Sequence, residues 1–239
     1  MTSPVEKSAS VRSMFGSIAP RYDLLNHLLS LNTDRRWRRA AVDELLRGGR
    51  ADGLFLDGCA GTLDLALELA RRGRFQGRVM AYDFSLPMLE RGMPKLRRNG
   101  AREPVEVACA DALVLPFRDR TFDGATVGFG VRNLVDLDAG LREAARVLKP
   151  GARLVVLEFT TPSFRPFRDL YLWYFTRVLP WVGRRISGHD SAYSYLPDTV
   201  LHFPQPKALA ERIGRAGFRD VDWRTLTGGI AAIHYGTRV

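Results

Sequence analysis

The stretch Leu54-Phe-Leu-Asp-Gly-Cys-Ala-Gly-Thr-Leu-Asp64 decides the fold of this 239-residue chain. Its first three residues form a short apolar run typical of a strand, and the small residues Gly58–Thr62 form a turn, named the glycine turn below. Asp64–Arg72 then has the apolar spacing of a helix. A strand, a tight turn and a helix in this order predict an α/β unit whose turn lets a ligand approach the backbone.

The same alternation continues as far as Phe159. Further strands are predicted at Arg78–Phe84, Val105–Ala110, Phe122–Phe129 and Ala152–Phe159, with helices at Met88–Arg98 and Asp138–Leu148 and a turn at Pro150-Gly151. Strands that alternate with helices indicate a parallel sheet with right-handed crossovers. Near-continuous apolar strands such as Leu154–Leu157 indicate that helices cover both faces of this sheet.

The two ends of the chain depart from this pattern. Residues 1–12 are predicted to be a flexible tail, and 13–239 a single domain. Within it, 13–50 form a helical lid, since the sequence from Val11 to Leu46 is helical in character. The segment 160–206 is predicted to be a cap insertion without a regular strand. The chain is then expected to close with a helix at Lys207–Ala216 and strands at Phe218–Leu226 and Ile230–Thr237.

Composition excludes several classes of protein. Hydrophobic residues make up 46% and charged residues 26%, which is ordinary for a globular protein and not for a fibrous or disordered one. No apolar run is long enough to span a bilayer, and the first residues lack the apolar core of a signal peptide. The two cysteines are too few for a disulfide framework or a structural zinc site, and no metal is expected. A cytoplasmic protein is therefore the default expectation.

The net charge of +10 leaves three interpretations open. Nucleic acid and an anionic membrane surface would both suit a basic protein. The excess is spread along the chain, so a compositional bias toward arginine without any binding role explains it equally well.

Three carboxylates follow successive predicted strands: Asp57, Asp83 and Asp111. Asp83 lies 22 residues after Gly61, the spacing at which a carboxylate meets the ribose hydroxyls of a nucleoside. Asp111 is placed to accept a hydrogen bond from an adenine amino group. The alternative for each is helix capping. Because the glycine turn lacks the G-x-G-x-x-G spacing of a dinucleotide site, S-adenosylmethionine fits better than NAD.

Around these residues the chain resembles the menaquinone/ubiquinone biosynthesis C-methyltransferases (the UbiE/MenG family), S-adenosylmethionine-dependent enzymes of Rossmann-like fold. The resemblance runs from Met14 to Thr237. Its motifs include Met14–Asp23, Asp57–Asp64, Asp83–Ser85, Gly130–Asn133, Arg146–Gly151 and Tyr193–Pro197.

The resemblance implies a fold and a cofactor. The fold is the class I methyltransferase sheet, seven-stranded and mostly parallel, with an antiparallel last strand and helices on both faces. S-adenosylmethionine would contact Thr62, Asp83, Asp111 and Ala112. With their neighbours Asp57, Gly61 and Phe84 these residues make up the predicted cofactor site. A homodimer is expected from the resemblance alone.

The chain departs from the family pattern at several positions, and the departure that bears on activity lies in the cofactor region. Leu63 replaces a glycine where the helix after the glycine turn begins. If this position needs a positive φ, a leucine there costs about 1–2 kcal/mol. If it is the first helical residue, the leucine is tolerable but crowds the methionine moiety. A non-catalytic, methyltransferase-like binding subunit is therefore an open alternative, as is a C-methyltransferase acting on another small molecule.

The reaction implied by the resemblance is methylation of a ring carbon on a prenylated hydroquinone. Demethylmenaquinol is the expected substrate, and the sequence leaves a prenylated benzoquinol open as the alternative. Arg132 is a candidate for stabilising a phenolate, and Tyr22 for holding a hydroxyl or a relay water. The alternative for Arg132 is a salt bridge to a strand-end carboxylate, and for Tyr22 packing against the core. Further candidates for the substrate pocket are Asn26, Asn133, Tyr193, Tyr195 and His234.

The segment 166–182 combines tryptophans and tyrosines with arginines, which suits a membrane interface. Apolar residues occupy too many faces for one stripe, so part of it must be buried in the protein, and a purely core-packing cap is equally compatible. We expect the mouth of a quinol pocket and a peripheral contact with the inner face of the membrane. A nucleic-acid substrate is not expected, because the chain lacks the Asn/Asp-Pro-Pro-aromatic and Pro-Cys motifs of nucleic-acid methyltransferases.

Overall fold

The computed structural model describes residues 11–14, 16, 30, 32–47, 50–98, 101–102, 104–178 and 190–239. Its strands are β1 (Leu54–Gly58), β2 (Arg78–Asp83), β3 (Arg97–Arg98), β4 (Ala101–Arg102), β5 (Val105–Cys109), β6 (Phe122–Gly128), β7 (Leu148–Phe159), β8 (Phe218–Leu226) and β9 (Ala231–Arg238). Its helices are α1 (Thr33–Leu46), α2 (Asp64–Ala70), α3 (Leu86–Gly92), α4 (Leu137–Val147), α5 (Arg165–Trp173), α6 (Asp190–His202) and α7 (Pro206–Arg215).

Seven of these strands form one sheet in the order β5-β2-β1-β6-β7-β9-β8. The pairs from β5 to β7 are all parallel, whereas β9 runs antiparallel to both of its neighbours, β7 and β8. This is the predicted mostly parallel sheet with an antiparallel last strand. The strand order reverses beside β1, so the carboxyl ends of β1, β2 and β6 meet at the point where open α/β sheets bind ligands.

The core lies on both faces of the sheet, as the apolar strands predict. Successive residues of one strand point to opposite faces, so Val155 joins one buried cluster and Val156 the other. Helices α1 and α2 cover the first cluster, and α4 and α7 cover the second. With both faces covered, the strand ends are where a ligand can reach the sheet.

The predicted helix over Met88–Arg98 is wrong in its second half. Helix α3 ends at Gly92, a 3₁₀ turn follows over Met93–Leu96, and β3 and β4 form a two-stranded ladder. Pro94 accounts for the break, because proline has no backbone N–H and its ring clashes with the preceding helical turn.

The predicted turn at Pro150-Gly151 lies within a longer strand. β7 begins at Leu148, which pairs with Phe122, and the register then shifts so that Gly124 pairs with Arg153. Gly151 has a φ of +79°. The two residues therefore form an irregularity inside β7, where proline and glycine are tolerated.

The N-terminal region is not one continuous helix. Val11 and Arg12, predicted to end the flexible tail, are helical; Val11 is buried and the guanidinium of Arg12 lies 5.5 Å from the centre of the Phe84 ring. Asn32, directly before α1, has a φ of 58° and interrupts the predicted helical stretch.

The predicted cap insertion is helical. It contains α5, a π-helical turn over Tyr174–Val178, and α6. Tyr171 and Phe175 are buried whereas Trp173 is 59% exposed, so part of this segment packs against the protein, as predicted. Within the described part of the chain, no helix has both the length and the apolar content to cross a membrane.

Leu63 has the positive φ that the sequence left open as one of two alternatives for this position. Its φ is 70° and its side chain is completely buried. A Cβ on Gly92 would lie 2.6 Å from Leu63 Cγ, so the leucine fills the space that glycine leaves at the end of α3. The backbone strain is therefore offset by packing between α2 and α3.

Two substitutions of Leu63 separate the strain from the packing. Leu63→Ala keeps the left-handed backbone and loses the side chain, so we expect the free energy of unfolding to fall by about 2–5 kcal/mol. Leu63→Gly loses the same side chain but relieves the strain, so it should be about 1 kcal/mol more stable than the alanine variant. Urea denaturation of both variants measures this. Equal stability of the two would show that the position is unstrained.

Candidate active site

Two cavities flank the glycine turn at the carboxyl ends of the central strands. The first has a volume of about 700 Å³ and the second about 430 Å³, both open to solvent. Cys59, Gly61 and Phe129 line both of them, so the cavities meet across this turn. One elongated ligand could therefore occupy both.

The structure brings all seven predicted cofactor residues to these cavities. Lining the first are Gly61, Asp83, Phe84, Asp111 and Ala112, and lining the second are Asp57, Gly61 and Thr62. They come from three strand ends that are distant in sequence, and the parallel pairing of β1, β2 and β5 places them side by side.

Asp83, the last residue of β2, is a buried carboxylate held by backbone amides. Its Oδ2 accepts from the N–H of Gly61 at 2.9 Å and its Oδ1 from the N–H of Ser85 at 2.9 Å. Burial raises the pKa of Asp83, and these amides, with that of Phe84, oppose the shift. Each oxygen keeps a further lone pair, so the carboxylate can accept two hydroxyl hydrogens from a ribose.

Asp57 in β1 is completely buried beneath the glycine turn. Its Oδ1 accepts from the hydroxyl of Thr126 at 2.7 Å, whereas Oδ2 has no hydrogen-bond partner in the part of the chain that the structure describes. Burial raises the pKa of Asp57 to about 7, opposed by Thr126, by the backbone N–H of Ala66 and by the charge of Arg38. A buried acceptor without a partner is destabilising unless a ligand satisfies it.

Asp111 follows β5 at the rim of the first cavity. Its Oδ1 accepts from the N–H of Leu113 at 2.9 Å, and Asp111 and Val114 form an isolated bridge. This is a local turn contact and not the helix cap that the sequence left as the alternative. Asp111 is exposed and lines the first cavity, so its carboxylate stays accessible to a ligand there.

The backbone around the cavities is strained. Positive φ angles occur at Cys59 (52°), Gly61 (53°), Leu63 (70°) and Phe129 (58°). Residues other than glycine rarely adopt this conformation, and they cluster at functional sites when the surrounding structure enforces it. Burial also raises the pKa of Cys59, so its thiol stays protonated and is a poor nucleophile.

These features fit S-adenosylmethionine. The first cavity offers paired acceptors for a ribose on Asp83 and an acceptor at the adenine position on Asp111. The second offers the unpartnered Oδ2 of Asp57 to the positively charged end of the cofactor. Leu63 lines neither cavity, so the predicted crowding of the methionine moiety does not arise.

Arg132 forms the salt bridge to a strand-end carboxylate that the sequence left as its alternative. Its Nη1 donates to Oε1 of Glu158 at 2.7 Å and to the carbonyl oxygen of Phe129, and its backbone N–H donates to Oε2 of Glu158 at 3.3 Å. Both side chains are buried, with 5% and 1% of their surface exposed. The ion pair rigidifies the guanidinium without using all of its donors, since Nε has no partner among the described residues.

Three polar side chains surround this ion pair. The hydroxyl of Tyr195 donates to Oδ1 of Asn133 at 3.1 Å, and Asn133 lines the first cavity. The hydroxyl of Tyr171 is buried and has no hydrogen-bond partner among the described residues. Burial raises the pKa of both tyrosines and the charge of Arg132 opposes this, so both phenols lie near the guanidinium.

Four candidates remain. Tyr22 and Asn26 lie outside the described residues, as does the side chain of Tyr193, whose backbone belongs to α6. His234 is buried on β9 and its Nε2 hydrogen-bonds the carbonyl oxygen of Pro206 at 2.9 Å. Burial lowers the pKa of His234 to about 4, so it is a neutral link between β9 and α7 and lines neither cavity.

Three further side chains were not singled out from the sequence. Arg38 lines the second cavity. Glu158 holds Arg132 and Tyr171 has the unpartnered hydroxyl, but neither of these two residues lines the cavities. The sequence contained a signal for Glu158, because this residue lies at the end of an apolar strand as Asp57 and Asp83 do. Arg38 and Tyr171 had none, since each lies in a segment rich in similar residues.

Comparison with known proteins gives one consistent result. Residues 3–238 match the ubiE/COQ5 methyltransferase family. The chain is 47% identical over 235 residues to a ubiquinone/menaquinone biosynthesis C-methyltransferase UbiE of Geobacter sp. (strain M21), covering 98% of each chain. It is 49% identical over 225 residues to a demethylmenaquinone methyltransferase of Thermus thermophilus, covering 94% of this chain and all of that one.

Solved structures support the fold. A SAM-dependent methyltransferase from Thermotoga maritima, described as a possible histamine N-methyltransferase, aligns with a TM-score of 0.64 at 18% identity over 95% of this chain and 99% of that one. Another from Aquifex aeolicus aligns with a TM-score of 0.59 at 20% identity over 83% of this chain and 89% of that one.

The buried Asp57 predicts a pH dependence of cofactor binding. A cationic ligand favours the ionised carboxylate, so the affinity for S-adenosylmethionine should rise as the pH rises through about 7. Between pH 6 and pH 8 we expect an increase of about fivefold to tenfold. Calorimetric titration of the wild-type chain and of Asp57→Asn checks this. The variant should bind more weakly and lose the dependence; an unchanged dependence would assign it to another group.

Proposed function

The chain belongs to the ubiE/COQ5 methyltransferase family, and from this premise we propose that it methylates a ring carbon of demethylmenaquinol, with S-adenosylmethionine as the donor. The observation that carries the proposal is the convergence of Asp57, Asp83 and Asp111 on two joined cavities beside a buried Arg132–Glu158 ion pair. The cavities suit the cofactor, and the cluster beyond them suits a phenolic substrate.

The identity of the methyl acceptor is inferred from the names of the relatives. Those most similar over nearly the whole chain are named as ubiquinone/menaquinone or demethylmenaquinone methyltransferases. Menaquinone biosynthesis agrees with both names, and the second name gives demethylmenaquinone as the acceptor. The non-catalytic alternative rested on Leu63, whose side chain packs in the core and lines neither cavity.

The chemical problem is to make a ring carbon nucleophilic. A phenolic hydroxyl has a pKa near 10, so ionising it at pH 7 costs about 4 kcal/mol. The phenolate pushes electron density onto the adjacent ring carbon. Bound S-adenosylmethionine supplies an electrophilic methyl group on a sulfonium, so the protein has to orient the acceptor and favour the phenolate.

Arg132 is suited to favour the phenolate as a fixed donor. Its guanidinium is held by Glu158 and by the carbonyl oxygen of Phe129, and it lies 5.4 Å from the centre of the Phe159 ring. Donors that are already oriented need no reorganisation when charge develops on the substrate. Arginine does not act as the base, because a guanidinium keeps its proton at neutral pH.

Tyr171, Tyr195 and Asn133 are suited to hold the substrate oxygens. A hydroquinone carries two hydroxyls on opposite sides of its ring, and the unpartnered hydroxyl of Tyr171 can bond one of them. Asn133, held by the Tyr195 hydroxyl, faces the first cavity. The rings of Phe129 and Phe159, whose centres are 4.6 Å apart, exclude water beside them.

A transfer assay tests this assignment. The wild-type chain should methylate a reduced, short-tailed demethylmenaquinol, detected by mass spectrometry as a gain of one methyl group. It should not methylate the oxidised quinone, which has no hydroxyl to ionise. Tyr171→Phe should lower kcat/KM for the quinol about tenfold, because one hydrogen bond to a charged oxygen is lost.

Tyr174→Phe is the matched control, since Tyr174 packs against the same buried cluster as Tyr171. It should leave kcat/KM within about twofold of wild type. Tyr171→Phe should also keep its thermal stability, because the hydroxyl it removes has no partner in the described part of the chain. No methylated quinol with the wild-type chain would overturn the proposed function. Equal kinetics of the two variants would remove Tyr171 from the site.

We propose a membrane contact through a lipid face formed by Leu170 and Trp173, which are neighbours at i and i+3 on α5. These side chains are 62% and 59% exposed. Arg165 and Arg177 are also exposed in this segment and suit anionic lipid headgroups. A prenylated substrate partitions into the bilayer, so a lipid face beside its site shortens its path. A homodimer stays a prediction from the resemblance.

Vesicle flotation tests the lipid face. The chain should float with vesicles containing phosphatidylglycerol, and Leu170→Ala should lower the bound fraction, with a partition coefficient about tenfold smaller. Leu86→Ala is the matched control, because Leu86 is an exposed leucine on α3 (52% exposed). Equal loss in both variants, or no flotation of the wild-type chain, would refute the contact.

A further inference from the structure

Charged side chains of both signs line the second cavity: Arg38, which helix α1 brings there, and the carboxylates Asp57 and Asp64. Arg38 is not among the cofactor residues predicted from the sequence. The Arg38 side chain is only 12% exposed. One of its Nη atoms donates to Oδ2 of Asp34 and lies 3.5 Å from Oδ2 of Asp64, so the guanidinium is pinned between α1 and α2.

A guanidinium and an unpartnered carboxylate oxygen therefore line the same cavity. Oδ2 of Asp57 is completely buried and accepts no hydrogen bond from the described residues. An α-amino acid group carries one carboxylate and one ammonium, the complements of Arg38 and Asp57. Arginine has five donors arranged in a fork that matches a carboxylate, and Asp34 occupies only part of them.

The location agrees with this chemistry. The first cavity holds the ribose and adenine candidates Asp83 and Asp111, and it joins the second across Gly61. A cofactor with its adenosine in the first cavity directs its methionyl end across the glycine turn into the second. The amino acid group of that end then lies in the cavity that Arg38 and Asp57 line.

We propose that Arg38 binds the α-carboxylate of S-adenosylmethionine, with Asp57 facing the α-ammonium. Asp34 and Asp64 act as positioning residues that hold the guanidinium before the ligand arrives. Lys95 supports this arrangement by donating to Asp64 at 2.8 Å. The inference rests on the cofactor of the proposed function. It adds a residue that discriminates S-adenosylmethionine from ligands that lack the carboxylate.

A pair of ligands isolates the carboxylate. S-adenosylmethionine and decarboxylated S-adenosylmethionine share the adenosine, the sulfonium and the amino group, so the ratio of their dissociation constants reports the carboxylate alone. Calorimetric titration of the full chain should give the wild type a preference for S-adenosylmethionine of about 10- to 100-fold. Arg38→Gln should reduce this preference to within about threefold, with similar affinity for the decarboxylated ligand.

Two controls accompany this measurement. Arg39→Gln removes a neighbouring arginine that is 62% exposed and pairs with Glu68, so it should keep the wild-type preference. Asp57→Asn should weaken both ligands by a similar factor, because both retain the ammonium. A loss of preference in Arg38→Gln together with equal weakening of both ligands in Asp57→Asn indicates that each residue contacts one end of the ligand. A general loosening of the glycine turn would not produce this difference between the two variants.

Several outcomes would overturn the inference. If Arg38→Gln keeps the wild-type preference, or if it weakens the binding of both ligands equally, Arg38 is a structural link between α1 and α2. If the glutamine variant does not fold, Arg38→Lys decides: a preference at least threefold below wild type supports the contact, and an unchanged one refutes it. A wild-type chain that binds neither ligand would instead refute the cofactor assignment underlying the proposed function.

Discussion

The hydrogen bond from the Gly61 amide to Asp83 fixes the glycine turn, and both cavities depend on that turn. The chain has to leave β1 and enter α2 within a few residues while keeping its backbone exposed to a ligand. It does so with left-handed backbone at Cys59, Gly61 and Leu63. Such a turn opens unless something outside it holds it. The β2 carboxylate provides that restraint from one side, and the packing of Leu63 against α3 provides it from the other.

A second buried interaction lies on the side of the site that we propose for the substrate. The Arg132–Glu158 ion pair is almost fully buried, and such a pair contributes little to stability compared with apolar side chains of similar size. Its value is geometric, because it sets the position of a guanidinium beside two phenols and the first cavity. Removing either partner would leave a buried charge without compensation, so the pair is retained as a unit.

The alternation of strands and helices predicted the sheet and its two covered faces, and the places directly after strand ends predicted Asp57, Asp83 and Asp111 at the cavities. Thr62 and Ala112 were predicted only through the resemblance to the family. The sequence could not predict where α3 ends, since Pro94 competes with an otherwise helical pattern. It also could not choose between catalysis and a salt bridge for Arg132, because the partner Glu158 lies 26 residues away on another strand. His234 illustrates the opposite error: its motif suggested a pocket, but the pleat of β9 turns its ring toward Pro206.

Phe129 connects the two halves of the site. Its backbone N–H donates to Leu157 at 2.7 Å, its carbonyl oxygen accepts from Arg132, and its ring lies against those of Trp37 and Phe159. With a φ of 58°, the backbone of Phe129 directs its N–H to Leu157 and its carbonyl oxygen to Arg132, and the residue still lines both cavities. A shift of this one residue would move the cofactor wall and the guanidinium together. The strain at Phe129 therefore links the wall shared by the two cavities to the position of the Arg132 guanidinium, which are the two positions that the proposed methyl transfer would have to align.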